Sequence, residues 1–250
     1  MWLAEACEGR ITRIECGRDR AEIVEHLIAC AASEPRLVAG IDFAFSFPRW
    51  FLEARGMSSA HELWDCVAER GETWLAHCPH PFWGKPGVPR PTPNSAQSAW
   101  RQTENETTRV RGVGPKSIFQ IGGAGSVGTG SLRGMPYLAR LRDAGFAIWP
   151  FDAPRLPMVV EIYPRELTGA VNKSSRIARA LYVQAHLPHE SHAIQDLASS
   201  TEDAFDAAIS AACMQRFARD FARLGATRED LDPLEGRIWR PLRDPLFERY

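Results

Sequence analysis

Residues 37–43 read LVAGIDF, a short apolar run interrupted by a single acid near its end. Such a run is typical of a strand that is buried on both faces at the centre of a sheet. Residues 2–6 and 11–15 have the pattern of two strands joined by a tight turn, and residues 21–32 have helical spacing. The order strand, strand, helix, strand predicts an α/β domain.

A second buried strand is predicted at residues 158–163, which read MVVEIY and carry another acid. Between the two buried strands, residues 49–145 are rich in aromatic residues, proline and glycine. We interpret this region as a large insertion or cap within one domain that spans 1–250. The remaining predicted elements are helices at 61–76, 135–144, 173–185 and 201–224 and strands at 117–121 and 147–151.

The composition is that of an ordinary globular protein, with 44% hydrophobic and 24% charged residues in a chain of 250. The 30 basic and 31 acidic residues nearly cancel. The chain therefore has no overall attraction to nucleic acid, and a surface that binds nucleic acid would have to be a local basic patch.

The six cysteines are scattered and include no CxxC pair. Because the sequence also has no signal-peptide pattern, we expect free thiols in a reducing cytoplasm rather than a disulfide framework. No apolar run reaches the length of a membrane span, so we expect no membrane partner.

Three acids lie where apolar residues are expected. Asp42 and Glu161 belong to the two buried runs, and Asp206 lies beside the small-residue face of the last long helix. A buried carboxylate is costly unless it is paired, hydrogen-bonded or bound to a metal ion. Asp203 precedes Asp206 by three residues and shares its helix face. Together these carboxylates could hold Mg²⁺ or Mn²⁺, and two such ions can catalyse phosphodiester hydrolysis.

Simpler explanations exist for each acid. Asp42 could pair with Arg49, and Glu161 could pair with Arg165 or Lys173. Asp203 lies in a first helical turn, where an acid is favoured by the helix dipole. Asp206 lies beyond that turn, so capping does not explain it.

Three segments carry a resemblance to a known family. They are GIDFAFSFP at 40–48, VEIYPR at 160–165 and EDAFDA at 202–207. In this order they resemble the family called domain of unknown function 429, described as predicted RNase H-like nucleases. The resemblance implies an α/β, RNase H-like mixed sheet flanked by helices. It also implies a two-metal nuclease with Asp42, Glu161 and Asp206 as catalytic residues, and a nucleic acid or nucleotide as substrate.

The chain departs from that family at its beginning. The RNase H-like fold has a central first strand that carries a metal-binding aspartate, whereas residues 1–5 read MWLAE and align with the second strand. Two explanations stay open. The chain starts at an internal methionine of a longer protein, in which case it should be unstable and inactive as given. Alternatively, the protein lacks the strand and is inactive or depends on another chain.

A glycine-rich loop offers a competing interpretation. Residues 123–128 read GAGSVG, a GxGxxG motif after the strand predicted at 117–121, with Asp152 at a distance suited to a ribose contact. This alternative is a non-catalytic nucleotide- or nucleic-acid-binding protein that uses residues 122–130. Glycine and proline at 130, 134 and 136 argue against it, because a helix should already be running there.

The same loop also suits the nuclease hypothesis, because its backbone N–H groups could bind a substrate phosphate. The residues predicted for this role are Gly123, Gly125, Lys116, Arg101 and Arg133. A plain flexible loop remains a further interpretation. Four aromatic residues, Phe82, Trp83, Trp100 and Phe119, could stack nucleobases or pack in the core of the cap.

Overall fold

The structure, a computed structural model, describes residues 1–92, 97–224 and 232–242. Its strands are β1 Trp2–Cys7, β2 Arg10–Cys16, β3 Val38–Ile41, β4 Ala147–Trp149 and β5 Met158–Glu161. Its helices are α1 Arg20–Ser33, α2 Arg49–Glu53, α3 Ala60–His77, α4 Gln102–Glu106, α5 Gly128–Asp143, α6 Pro164–Thr168, α7 Arg176–His186, α8 His192–Ala198, α9 Glu202–Arg216, α10 Ala218–Phe221 and α11 Asp232–Glu235. The mixed α/β class predicted from the sequence is confirmed.

The described strands form two sheets rather than the single mixed sheet that was predicted. β3, β5 and β4 make a parallel sheet in that order, with Ile41 opposite Glu161. β1 and β2 make a separate antiparallel hairpin. Helix α9 packs on β1, β2 and β3, so it contacts both sheets.

Burial explains the parallel sheet. All of β4 and β5 is buried, and Val159 and Val160 have no exposed surface. Parallel strands covered on both faces are apolar throughout. Glu161 ends β5 and is buried as well, so its charge needs a partner in the fold.

The hairpin turn is formed by Glu8 and Gly9, which both have positive φ, at 50° and 78°. Two successive residues with positive φ match the right-handed twist of the flanking strands. Cys7 is consequently paired with Arg10, and the turn predicted at this place is confirmed.

The predicted insertion, 49–145, packs on the same core as the rest of the domain. Helices α2, α3 and α5 share one apolar cluster with α1 and β3. Its centre is aromatic, with Phe47, Phe51 and Phe119 in mutual ring contact. Residues 93–96 of this region, and residues 225–231 and 243–250 of the predicted domain 1–250, lie outside the described residues.

Some predicted boundaries were wrong. Residues 117–121 form a turn that makes one isolated bridge, between Gln120 and Trp83, instead of a strand. Helix α5 begins at Gly128, seven residues before the predicted start, and continues through Pro136. Helix α9 ends at Arg216 and not near residue 224. None of the helices in the described part of the chain is long and apolar enough to cross a membrane.

Candidate active site

Asp42 directly follows Ile41, the last residue of β3. The carboxyl end of a parallel strand is where polar side chains of an α/β fold commonly meet. Asp42 keeps an exposed surface, yet burial is the largest of the effects that raise the pKa of its carboxyl group. Both statements hold for a side chain that touches solvent on one side and is surrounded by protein elsewhere.

The pKa of Asp42 is raised to about 7, so this carboxyl group is half protonated near neutral pH. After burial, the main cause is the negative charge of Asp206, and Glu161 and Asp203 act in the same direction. Lys173 opposes them but does not cancel them. The four predicted acids are therefore close enough to interact, and their negative charge is incompletely compensated.

Asp206 forms an ion pair with Lys173, whose Nζ lies 2.5 Å from Asp206 Oδ1. Lys173 precedes α7 and is 7% exposed, and Asp206 Oδ1 has no accessible surface. Burial disfavours both charges: it raises the pKa of Asp206 and lowers the pKa of Lys173. The lysine ammonium thus lies beside these acids, where a bound metal cation would also be stabilised.

Glu161 is held by a different cation. Its two carboxylate oxygens accept hydrogen bonds from Arg101 Nη2 at 2.5 Å and Nη1 at 2.8 Å. Arg101 has no exposed surface and also binds Glu104, which is buried too. Two carboxylates around one guanidinium form a buried ionic cluster that joins β5 to the cap.

The Glu161 carboxylate also fixes the segment that carries Asp42. Its Oε2 accepts a hydrogen bond of 3.0 Å from the backbone N–H of Phe45. Helix α5 supports this segment from the other side, because the Ser131 hydroxyl accepts a hydrogen bond from the N–H of Ala44. Glu161 therefore positions Asp42, and both of its oxygens are already used.

These contacts bear on two of the predicted roles. Arg101 was predicted to bind a substrate phosphate, but it is enclosed by protein and its charge is compensated by Glu104 and Glu161. Glu161 was predicted to be a metal ligand and catalytic residue, but its oxygens bind Arg101. The partners proposed from the sequence, Arg165 and Lys173, lie closer in the chain and bind elsewhere.

Asp203 is exposed in the first turn of α9, where Thr201 caps the helix by accepting a hydrogen bond from the N–H of Ala204. Its position agrees with a first-turn acid that favours the helix dipole. Its negative charge still raises the pKa of both Asp42 and Asp206. Asp203 therefore lies at the rim of the same cluster.

The predicted phosphate-binding loop is exposed and makes local contacts. Gly123 and Gly125 have positive φ, at 76° and 72°, and Lys116 Nζ donates to the carbonyl oxygen of Ala124. Arg133 forms a two-bond ion pair with Glu72 on the surface. Because residues 117–121 are not a strand, the loop lacks the strand that a dinucleotide-binding motif requires.

The aromatic residues of the cap divide into two groups. Phe82 and Phe119 are about 1% exposed and pack in the core. Trp83 and Trp100 line a cavity of about 300 Å³, where the Arg90 guanidinium lies 4.5 Å from the centre of the Trp100 ring. The arginine thus already covers the ring face on which a nucleobase would stack.

The carboxylates do not enclose a metal ion in their present positions. Within the described residues, the group of three ligand atoms that lie within 4.8 Å of one another is formed by Glu5, His26 and Cys30, in a different part of the fold. Among the described residues, Asp42, Glu161, Asp203 and Asp206 do not form such a group of three. The Glu5 group could not be predicted from the sequence because its members come from two separate elements, β1 and α1.

No protein-family model, no curated protein and no solved structure matches this chain. The resemblance described above consequently stays a prediction, and the function has to be inferred from the site itself.

Proposed function

We propose that the chain is a phosphodiester hydrolase that depends on a divalent cation, Mg²⁺ or Mn²⁺, held by Asp42 and Asp206. The observation that carries this proposal is the grouping of Asp42, Asp206 and Asp203, whose negative charges add to the effect of burial on the pKa of Asp42 and are only partly offset by Lys173. A cation would relieve that repulsion. The ligands are carboxylate oxygens, which Mg²⁺ and Mn²⁺ prefer.

The proposed site holds one cation, whereas the sequence predicted a two-metal site. Glu161 is bound to Arg101 and takes the role of a positioning residue. Asp203 lies at the edge of the group of acids. It contributes negative charge there and is not required as a ligand. Two carboxylates are the usual number of protein ligands for one Mg²⁺ ion, which keeps several waters.

A bound divalent cation would supply Lewis-acid activation of the phosphodiester and of the attacking water. The protein groups have separate tasks. Asp42 has an exposed surface, so a substrate can reach it. Lys173 neutralises Asp206 in this structure. If a cation were bound to Asp206, the ammonium group of Lys173 would be available to neutralise a phosphate oxygen.

Hydrolysis assays test the proposal directly. The purified chain is incubated with bis(p-nitrophenyl) phosphate and with labelled DNA and RNA, single- and double-stranded, in Mg²⁺, Mn²⁺ or EDTA. We expect cleavage that requires the cation and stops in EDTA. Asp42→Asn and Asp206→Asn should each lower the rate by at least about 100-fold, as expected for loss of a group that stabilises the transition state.

Asp143→Asn is the matched control, because this exposed aspartate at the end of α5 lies outside the cluster. It should retain full activity. Absence of cleavage, cleavage in EDTA, or equal rates in Asp42→Asn and Asp143→Asn would each refute the proposal. The substrate that is cleaved fastest distinguishes DNA, RNA and a simple phosphodiester.

A further inference from the structure

We propose that Glu5, His26 and Cys30 form a second metal site, which binds Zn²⁺ or a similar transition-metal ion. His26 Nε2 lies 2.6 Å from Glu5 Oε1 and 3.4 Å from Cys30 Sγ. All three ligand atoms lie within 4.8 Å of one another. The site does not involve the Asp42 cluster and is independent of the proposed hydrolase function.

The local fold brings these side chains together. His26 and Cys30 are four residues apart on α1, so they project from one helix face in successive turns. A capping box between Asp19 and Glu22 fixes the N-terminus of this helix. Glu5 comes from β1 and completes the group from the hairpin.

The ligand types select the metal. One imidazole nitrogen, one thiolate sulfur and one carboxylate oxygen suit Zn²⁺, whereas Mg²⁺ prefers oxygen ligands alone. Ordinary zinc–ligand bonds in a tetrahedron separate the nitrogen and sulfur atoms by about 3.6 Å. His26 and Cys30 are nearly at that separation already. Glu5 has to withdraw from His26 by less than about 1 Å to reach a tetrahedral distance.

A neighbouring arginine holds the second carboxylate oxygen of Glu5. Arg13 Nε lies 3.5 Å from Glu5 Oε2 and thus contacts the oxygen that His26 does not use. Glu5 Oε1, which now contacts His26 Nε2, is the oxygen that would bind the ion.

Three protein ligands leave one position of a tetrahedral ion open to water. The ion would cross-link β1 to α1, two elements that the chain otherwise joins through β2. Because the site forms in the folded protein, binding of the ion should stabilise the fold. The competing explanation is a cluster that His26 holds together by hydrogen bonds alone.

Cobalt titration distinguishes the two explanations. Co²⁺ reports a thiolate ligand by a charge-transfer band in the near ultraviolet, and Zn²⁺ should displace it. The titration uses the Cys7→Ser/Cys16→Ser double variant as the background protein, because these two cysteines are exposed and could bind metal nonspecifically. We expect one equivalent of Co²⁺ to produce the band, and Cys30→Ser in this background to abolish it.

A second variant separates the site from general folding effects. His26→Gln should weaken Co²⁺ binding by at least about 100-fold. Loss of a residue that only hydrogen-bonds to a metal ligand would have a smaller effect. Zn²⁺ should raise the midpoint of thermal unfolding in the background protein and leave that of His26→Gln unchanged. Far-ultraviolet circular dichroism confirms that each variant is folded.

Two results would overturn this second site. One is the absence of a charge-transfer band at any Co²⁺ concentration. That result would favour the competing explanation, a cluster held together by hydrogen bonds alone. The other is a band that persists in Cys30→Ser, which would assign the bound metal to another thiol. Asp42→Asn should leave the band unchanged, so failure at one site is distinguishable from failure at the other.

Discussion

Replacing Arg101 by leucine is expected to lower the free energy of unfolding by about 3–5 kcal/mol, the range for breaking a buried ion pair from one side. The substitution leaves Glu104 and Glu161 buried without a cation. The pKa of Glu104 is already raised by burial with the arginine present. Both carboxyl groups would have to be protonated or solvated, and the segment that carries Asp42 would lose a support.

The measurement is urea unfolding followed by tryptophan fluorescence, with Arg133→Leu as the control. Arg133 makes a two-bond ion pair of the same chemistry with Glu72, but on the surface. Its loss should cost less than about 1 kcal/mol. If the two variants are equally stable, the Arg101 cluster does not hold the cap on β5.

Replacing Gly128 by alanine should destabilise the fold by about 3 kcal/mol, the upper part of the range for overpacking. A Cβ atom there would collide with the backbone carbonyl oxygen of Ile118, which cannot rotate away as a side chain can. The Gly128 N–H also donates to the carbonyl of Gln120, so the helix start is fixed. This glycine is required by packing and not by a nucleotide.

Gly130→Ala is the matched control, because it makes the same change two residues further along α5. A Cβ atom at Gly130 has nothing within 4 Å. Alanine should therefore stabilise the helix by up to about 1 kcal/mol. Thermal or urea unfolding of the two variants gives the comparison, and equal effects at both positions would contradict the packing argument.

The elements that could be predicted from the sequence are those with a strong local pattern. The run at 37–43 became β3, and the apolar spacing of 61–76 became α3. The helix start at Gly128 was missed, because glycine and proline usually end helices. Proline lacks the N–H that a helix interior uses, yet Pro136 lies inside α5 next to the buried Met135.

The separation into two sheets could not be predicted from patterns alone. A strand's own sequence shows that it is half-buried or buried, but it does not identify the strand beside it. β1 and β3 both fit a single sheet by their spacing. Their hydrogen bonds are nevertheless made with β2 and β5, and the helix α9 covers both sheets.

The acids of the site were found because charge is unexpected in an apolar run, but their partners were not. Glu161 and Arg101 are 60 residues apart, and sequence reasoning favoured cations closer in the chain. Lys173 was considered as a partner of Glu161 and instead binds Asp206, which is on helix α9. Partner choice is decided by the three-dimensional fold, and a local pattern contains no information about it.

The protonation of Asp42 tests the central claim of a cation site most directly. Carbon-13 NMR of the aspartate carboxyl groups, assigned with Asp42→Asn, should give a pKa of about 7 in the absence of divalent cations. Asp206→Asn should lower that value, because it removes the largest repulsive charge. Mg²⁺ should also lower it, because the cation competes with the proton for the same oxygens. If the pKa of Asp42 stays at about 7 in saturating Mg²⁺, Asp42 does not bind the cation and the proposed function is wrong.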